Sequence, residues 1–347
     1  VEEDIQEVAG FIGEMWRLWY TGHIPVPNWS ADFLARELRT DDDTFRRYTI
    51  GVYDGTRLIG VLPGWPIRVR LHGEELPGVM GSFACVHPDY QRQGVADEMR
   101  DRAFQQAADR GDAISLLYLY ARSKKFRGTK FWCRQSVPTQ IIRKLGLWVN
   151  PLDCAAVSRW ELLRFEAWAT RLLAPFRRRL RAPREPDAIR PYRPDDFAAC
   201  DELVRRRGDS VDLAQRFDGD ALRRQLDYKD VAKTLVIEHE GRVAGLVNFN
   251  YLEILGRNLQ RFGVIDLLAF EPTLPHRRRT DLLRAVLTLM KEDGVISELM
   301  LLGSTYGWWS LRAAGFLPMF PEYNLLGVMQ SPDVSLDDVR RLFLLWR

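Results

Sequence analysis

Residues 82–111 read SFACVHPDYQRQGVADEMRDRAFQQAADRG, a strand-like run that passes through V-x-P and a short loop into a helix-like stretch. The loop places Gln91, Gly94 and Ala96 where polar residues usually cap a helix. A helix N-terminus presents unpaired backbone N–H groups and a partial positive charge. When the loop before it is reduced to small residues, those amides can close on a phosphate instead. Gly94 lets the backbone approach a pyrophosphate, Ala96 keeps the first turn clear, and Gln91 and Arg92 can add side-chain hydrogen bonds. An ordinary tight strand-to-helix turn accounts for this short pattern equally well.

Outward from the loop, the chain is written twice. DFLAREL at Asp32–Leu38 returns as DALRRQL at Asp220–Leu226, 188 positions later. YTIGVYDGTRLIGVL at 48–62 returns as TLVIEHEGRVAGLV at 234–247, with Gly60 and Gly245 185 apart. Both read as β-hairpins around a DG or EG turn. Alternating strands follow at 67–71 and 79–86 and again at 261–270, then amphipathic helices at 94–110 and 280–292. IIRKLGLW at 141–148 and SLRAAGFL at 310–317 read as short closing helices, each ending on a glycine that fits a left-handed C-cap. A period this long is not a solenoid. It implies two copies of one α+β domain, each a mixed, mostly antiparallel sheet flanked by helices. The expected organisation is an N-terminal domain at 1–160, an arginine-rich helical connector at 161–187, a C-terminal domain at 188–330 and a tail at 331–347.

The order strand, V-x-P, QxxGxA loop, long helix resembles the acetyl-CoA-binding core of the GNAT superfamily of N-acetyltransferases, whose motif is Q/R-x-x-G-x-G/A. IRPYRPDDF at 189–197 looks like a GNAT opening strand, and KLGLW and AAGFLP look like its closing elements. The tandem arrangement is similar to the Eis-like aminoglycoside acetyltransferases, without room for their sterol-carrier-like third domain. The resemblance implies acetyl-CoA as acyl donor, held by Ala84, Cys85, Val86, Gln91, Arg92, Gln93, Gly94, Val95 and Ala96. It also implies a pantetheine arm lying between the strand ending at Val86 and the strand Ile114–Tyr120, and a Val86 backbone N–H acting as oxyanion donor. The reaction is then direct transfer to an amine, with the CoA thiolate leaving.

Many GNATs return a proton to that thiolate from a tyrosine four residues before the glycine of the closing helix. Those positions hold Ile142 and Leu311, so Tyr118 and Tyr120 are the substitutes at hand, with Tyr120 the tentative acid and a packed core tyrosine the plainer alternative. In the second copy, FEPTLPHRRRTDLLRAVL at 270–287 puts Thr280 where Gly94 stands and Leu282 where Ala96 stands. Thr280 reads as a side-chain N-cap, and Asp281 would repel a pyrophosphate. The second half is therefore read as a degenerate copy that helps form the acceptor pocket. His87 beside the loop and Cys85 before it are read as solvent-facing and buried residues, not a base and a nucleophile. Trp16, Trp19, Tyr20 and Trp29 are read first as core beneath the acceptor roof.

The bulk numbers fit this reading. The chain has 50 basic and 47 acidic residues, a net charge of +3 without a basic aromatic-laced stripe, so nucleic acid is not an expected partner. Cys85, Cys133, Cys154 and Cys200 form no CxxC pair and read as reduced thiols of a cytoplasmic protein. Five scattered histidines give no metal spacing, so no metal is expected. The longest apolar run, Ala113–Ala121, is far short of a span, and the native N-terminus can extend before Val1. Residues 164–186, RFEAWATRLLAPFRRRLRAPREP, are basic and amphipathic. They read mainly as a solvated interdomain helix, and secondarily as a peripheral contact with an anionic membrane through 164–184. The expected function is transfer of an acetyl group to the amine of a small-molecule acceptor. The alternatives are O-acylation, a longer acyl-CoA, or a non-catalytic acyl-CoA-binding or scaffold protein. Acceptor and oligomeric state stay open.

Overall fold

The paired hairpins of the sequence are the paired hairpins of the computed structural model, which describes residues 2–38, 44–121, 131–132, 138–176, 180–303 and 306–347. The first half opens with α1 (Glu2–Tyr20), β1 (Val26–Asn28), α2 (Ala31–Leu38) and α3 (Thr44–Tyr48). Strands β2 (Ile50–Asp54), β3 (Arg57–Leu62), β4 (Gly64–Leu71), β5 (Glu74–Gly81) and β6 (Cys85–Val86) lead to α4 (Val95–Arg110). Then come β7 (Ile114–Tyr120), β8 (Thr139–Pro151), α5 (Cys154–Trp160) and α6 (Arg164–Leu173). The second half runs β9 (Ile189–Pro191), α7 (Phe197–Asp209), β10 (Leu213–Arg216), α8 (Gly219–Leu226), β11 (Ala232–His239), β12 (Arg242–Leu255) and β13 (Leu259–Phe270). It closes with α9 (His276–Glu292), β14 (Ser297–Leu302), α10 (Trp308–Ala314), β15 (Leu317–Pro318), β16 (Tyr323–Met329) and β17 (Leu342–Phe343). The class is α+β with two lobes, as the repeat implies.

The two lobes share strands. The main sheet runs β17-β10-β4-β5-β7-β16-β8-β14-β13-β12-β11-β9, while β2, β3 and β6 form a small sheet of their own. β16 lies antiparallel between β7 and β8, with Tyr323 opposite Tyr120 and Met329 opposite Ile114. The far end of β8, Gly146–Pro151, leaves the first lobe and pairs with β14 of the second. Each lobe's sheet therefore contains a strand supplied by the other half of the chain.

This exchange overturns the reading of IIRKLGLW as a helix: residues 139–151 are one strand. Pairing on both sides outweighs local preference, and Ile141 and Ile142 suit a pleated surface. Gly146 is not a helix cap. A Cβ there would collide with the Met319 backbone carbonyl, which passes directly over it. SLRAAGFL is helical as expected, with Gly315 at φ 101° closing α10.

One core spans both lobes, joining Ile12 of α1, Leu34 of α2, Leu116 of β7, Leu213 of β10 and Phe262 of β13. Within it sits a buried ion cluster. Arg347 Nε lies 2.6 Å from Glu37 and its two terminal nitrogens 2.7 and 2.8 Å from Asp266. Arg36 pairs with Glu37 at 2.5 Å and stands 3.5 Å from Asp266. Asn250 and Gln225 complete the Asp266 carboxylate at 2.8 and 3.0 Å. Burial opposes the Asp266 charge, but Arg347 and Arg36 hold its carboxyl below the usual range.

Glu298 on β14 has the opposite balance. It is fully buried opposite Asn150, and no side chain among the described residues pairs with it. Burial raises its carboxyl well above the ordinary 4.5, against a weaker pull from the Ile265 backbone amide. A raised acid binds its proton in the native state at pH values where the unfolded chain has released it. Stability therefore falls as pH rises from about 4.5 toward the folded-state pKa, by about 1.4 kcal/mol per unit. Glu298→Gln is expected to remove that slope and stabilise the protein at neutral pH. Denaturant titrations from pH 5 to 8 check this, and parallel curves for the two proteins would refute it.

Candidate active site

A cleft forms where two parallel strands part. β5 and β7 run side by side from Gly78 opposite Ile114 to Gly81 opposite Leu117, and there the pairing ends. The chain turns at Ser82–Ala84, with Phe83 at φ 59°, and enters β6, which pairs with β3 in the small sheet. Tyr118–Tyr120 of β7 continue on the other side of the gap. The ladder also fixes where Val86 points. His87 N–H donates to Ile59 O at 2.8 Å, so Gly60 opposite Val86 is a non-hydrogen-bonded pair. The Val86 N–H therefore faces away from β3.

The loop after β6 opens a row of backbone donors. Among the described residues, none of the amides of Arg92, Gln93, Gly94, Val95, Ala96 and Asp97 has a protein acceptor; the helix ladder starts with Glu98 N–H donating to Gly94 O. Arg92 at φ 59° and Gly94 at φ 85° turn successive amides toward one side, the geometry of an anion nest. Gly94 is the N-cap of α4 and carries no side chain to satisfy these donors. A Cβ there would meet open space, so glycine is required by the left-handed backbone and not by crowding. The loop is braced from behind. Tyr90 donates to Asp54 at 2.5 Å, and Gln93 donates to Asp89 O at 2.7 Å. Gly60 lets α4 sit close, since a Cβ there would press Val95 at 3.1 Å and Met99 at 3.2 Å.

The structure brings Ala84, Cys85, Val86 and residues 91–96 to one edge of the cleft. Cys85 is a free thiol whose ionisation burial suppresses, which suits a packed residue and not a nucleophile. Tyr20 of α1 lies beside it, and burial raises the Tyr20 phenol to about 12. Both ring nitrogens of His87 face donors, Nε2 the Arg57 guanidinium at 2.8 Å and Nδ1 the Asp89 amide at 3.3 Å. Whichever nitrogen carries the lone pair is occupied, so His87 is poorly placed as a base. Tyr118 is packed in the core, and burial raises its phenol. Tyr120 is half-buried, its ring edge-on to Tyr323 of β16 at 5.4 Å. Trp16 meets Trp29 edge-on at 6.1 Å, and Trp29 packs at a tilt on Phe83, beside the turn into β6, at 4.6 Å. Cys133 lies outside the described residues.

The second lobe keeps the cleft and fills it. Gly245 stands opposite Phe270 as Gly60 stands opposite Val86, and Glu271 N–H donates to Ala244 O as His87 donates to Ile59. Phe270 N–H is thus the counterpart of Val86 N–H, and it donates to the Tyr306 hydroxyl at 2.7 Å. That hydroxyl donates back to Phe270 O at 3.2 Å, and its ring stacks on Phe270 at 6.1 Å. The helix start differs from the sequence reading. α9 begins at His276, four residues before Thr280, with Pro275 at its N-cap. Thr280 lies inside the helix, donating to His276 O at 2.9 Å, and buried Asp281 pairs with Arg284 at 3.3 Å. The helix therefore starts a full turn before the threonine, with no side chain capping it. Arg279 is spent on the loop itself, donating to the Leu274, Glu271 and Pro272 carbonyls. No sequence signal marks Tyr306, because its role depends on the register of β12 against β13.

Residues 31–126 match the acetyltransferase (GNAT) domain family. The fold is similar to that of Saccharomyces cerevisiae N-myristoyltransferase with bound myristoyl-CoA, at TM-score 0.73 and 15% identity over 97% of this chain and 86% of that one. A further structure of that enzyme, with myristoyl-CoA and inhibitors, gives 0.72 and 14% over 97% and 83%. A conserved Enterococcus faecalis V583 protein of unknown function, described as a probable N-acyltransferase, gives 0.53 and 11% over 95% and 71%. Comparison with curated protein sequences finds no match. The chain thus carries an acetyltransferase (GNAT) domain match at 31–126, within a two-lobed α+β fold similar to that of N-myristoyltransferase.

Proposed function

We propose that the chain is an acyl-CoA-dependent N-acyltransferase that moves an acetyl group from acetyl-CoA to the amine of a small-molecule acceptor in the cytoplasm. The observation that carries this reading is the row of unpaired amides at 92–97, at the mouth of a cleft edged by the Val86 N–H. The amides take the pyrophosphate, the parted strands take the pantetheine arm, and the thioester carbonyl lies at Val86. A neutral amine attacks that carbon, the carbonyl oxygen gains charge against the Val86 N–H, the nitrogen gives up its extra proton to solvent, and the carbon–sulfur bond breaks to leave the amide and a thiolate. One such donor contributes about 3 kcal/mol to lowering the barrier. The aromatic packing of Trp16, Trp29, Phe83 and Tyr20 beside Cys85 supports a short acyl group. The likeness to an enzyme solved with myristoyl-CoA favours a second reading, a longer acyl donor. An amine panel assayed by thiol release, run with acetyl-CoA and with myristoyl-CoA, tests both. Release from neither donor with any amine would leave a non-catalytic acyl-CoA-binding protein.

Tyr120 is proposed to return the proton to the leaving thiolate. Tyr120→Phe keeps the ring against Tyr323 and removes only the hydroxyl. Turnover is expected to fall about 10²-fold, with loss of the alkaline limb of the rate profile. A variant with wild-type turnover and an unchanged limb would assign the proton to solvent.

A further inference from the structure

Helix α6 leaves an apolar face uncovered. Its inner side is fixed to α5: Ser158 Oγ donates to Ala167 O at 2.9 Å, and Arg171 Nε donates to Ser158 Oγ at 2.8 Å. The outer side carries Phe165, Trp168 and Leu172, 73%, 56% and 49% exposed, with Leu163 at the N-cap 53% exposed. These fall at i, i+3 and i+7, one stripe of the helix. The Phe165 and Trp168 rings lie 6.0 Å apart, so the patch is contiguous. Soluble monomers rarely leave such a stripe bare without a partner for it.

A second element reaches the same place. At the tip of the β12–β13 hairpin, Arg257 N–H donates to Trp160 O at 2.9 Å and its guanidinium donates to Leu162 O at 3.2 Å. Leu259 of that tip is 45% exposed. The charge around the patch is basic. The helical step places Arg164 and Arg171 along one flank of the stripe, and Arg159 is exposed on α5. The acidic residues of the segment, Glu161 and Glu166, are half-buried.

We propose that α6 and the β12–β13 tip dock this protein on an anionic phospholipid surface, with Phe165, Trp168, Leu172 and Leu259 in the interface and Arg159, Arg164 and Arg257 at the headgroups. Aromatic side chains beside arginine are the composition of an interfacial helix. A two-fold contact with a second copy would set these arginines against their own counterparts. No described helix is long and apolar enough to cross a membrane, so the attachment is peripheral. The sequence alone favours a solvated connector; the exposure of the aromatic stripe reverses that reading.

Flotation of the full chain with vesicles of phosphatidylcholine, with and without about one-third phosphatidylglycerol, tests this. The wild type is expected to float with the anionic vesicles and to be released by salt. Phe165→Ser with Trp168→Ser should weaken binding at least about tenfold, and Arg164→Glu roughly fivefold or more on anionic vesicles alone. All three positions are exposed, and circular dichroism of each variant against the wild type checks that it folds. Failure of the wild type to float would overturn the proposal, as would unchanged binding by the double variant. So would a concentration-dependent dimer that the double variant abolishes while no vesicle binding is seen.

Discussion

Gly94→Glu is expected to lower acyl-CoA affinity by at least about 100-fold, close to 3 kcal/mol. Two effects add. The residue sits at φ 85°, where a side chain is strained, and the new carboxylate stands among amides whose charge favours an anion. Gly94→Ala separates them: it carries the strain without the charge and should lose much less. Calorimetry of the three proteins measures this, with the wild type saturating at one CoA per chain because Tyr306 occupies the second cleft. Equal affinity in wild type and Gly94→Glu would remove the phosphate site from the loop.

Arg347→Met is expected to destabilise the protein by about 3–5 kcal/mol, the cost of leaving buried charge without its partner. Arg347 is the hub between Glu37 of the first half and Asp266 of the second, and its loss leaves two buried carboxylates to Arg36 alone. Adding Asp266→Asn should recover part of the loss, since the second change removes the stranded charge. Denaturant unfolding of both singles and the double gives the coupling. Additive effects would show that the cluster does not act as a unit.

The loop was legible because its chemistry is local. The amides of Gly94 and Ala96 are left open by the local backbone, and a strand–loop–helix order is visible in consecutive residues. The repeat was legible through the same property, since Gly60 is demanded by Val95 and Met99 of α4, and Gly245 by Phe270, Ile237 and Leu274 packed around its own hairpin. What depended on distant partners was not legible. β8 reads as helix because Lys144 and Leu145 are good helix formers, and only β16 and β14 make it a strand. The α9 start was misplaced because Thr280-Asp281 carries a capping signature, whereas the helix starts at His276 with no side-chain cap. The Arg36–Glu37–Asp266–Arg347 cluster draws on residues more than 300 positions apart, which no window of sequence joins.

The exchanged strands impose an order on synthesis. β7 and β8 present their edges to β16, whose first residue follows the end of β7 by about 200 positions. At the pace of translation, roughly 5–20 residues per second, the first half waits on the order of 10–40 s on the ribosome for the strand that completes it. During that wait two apolar edges stand open, the condition under which nascent chains pair with the wrong neighbour. A chain released early would carry the whole acetyltransferase domain match at 31–126 and still lack its closing strand. Completion of the fold therefore falls on the segment from Tyr323 to Arg347, where β16, β17 and the Arg347 ion cluster join both lobes.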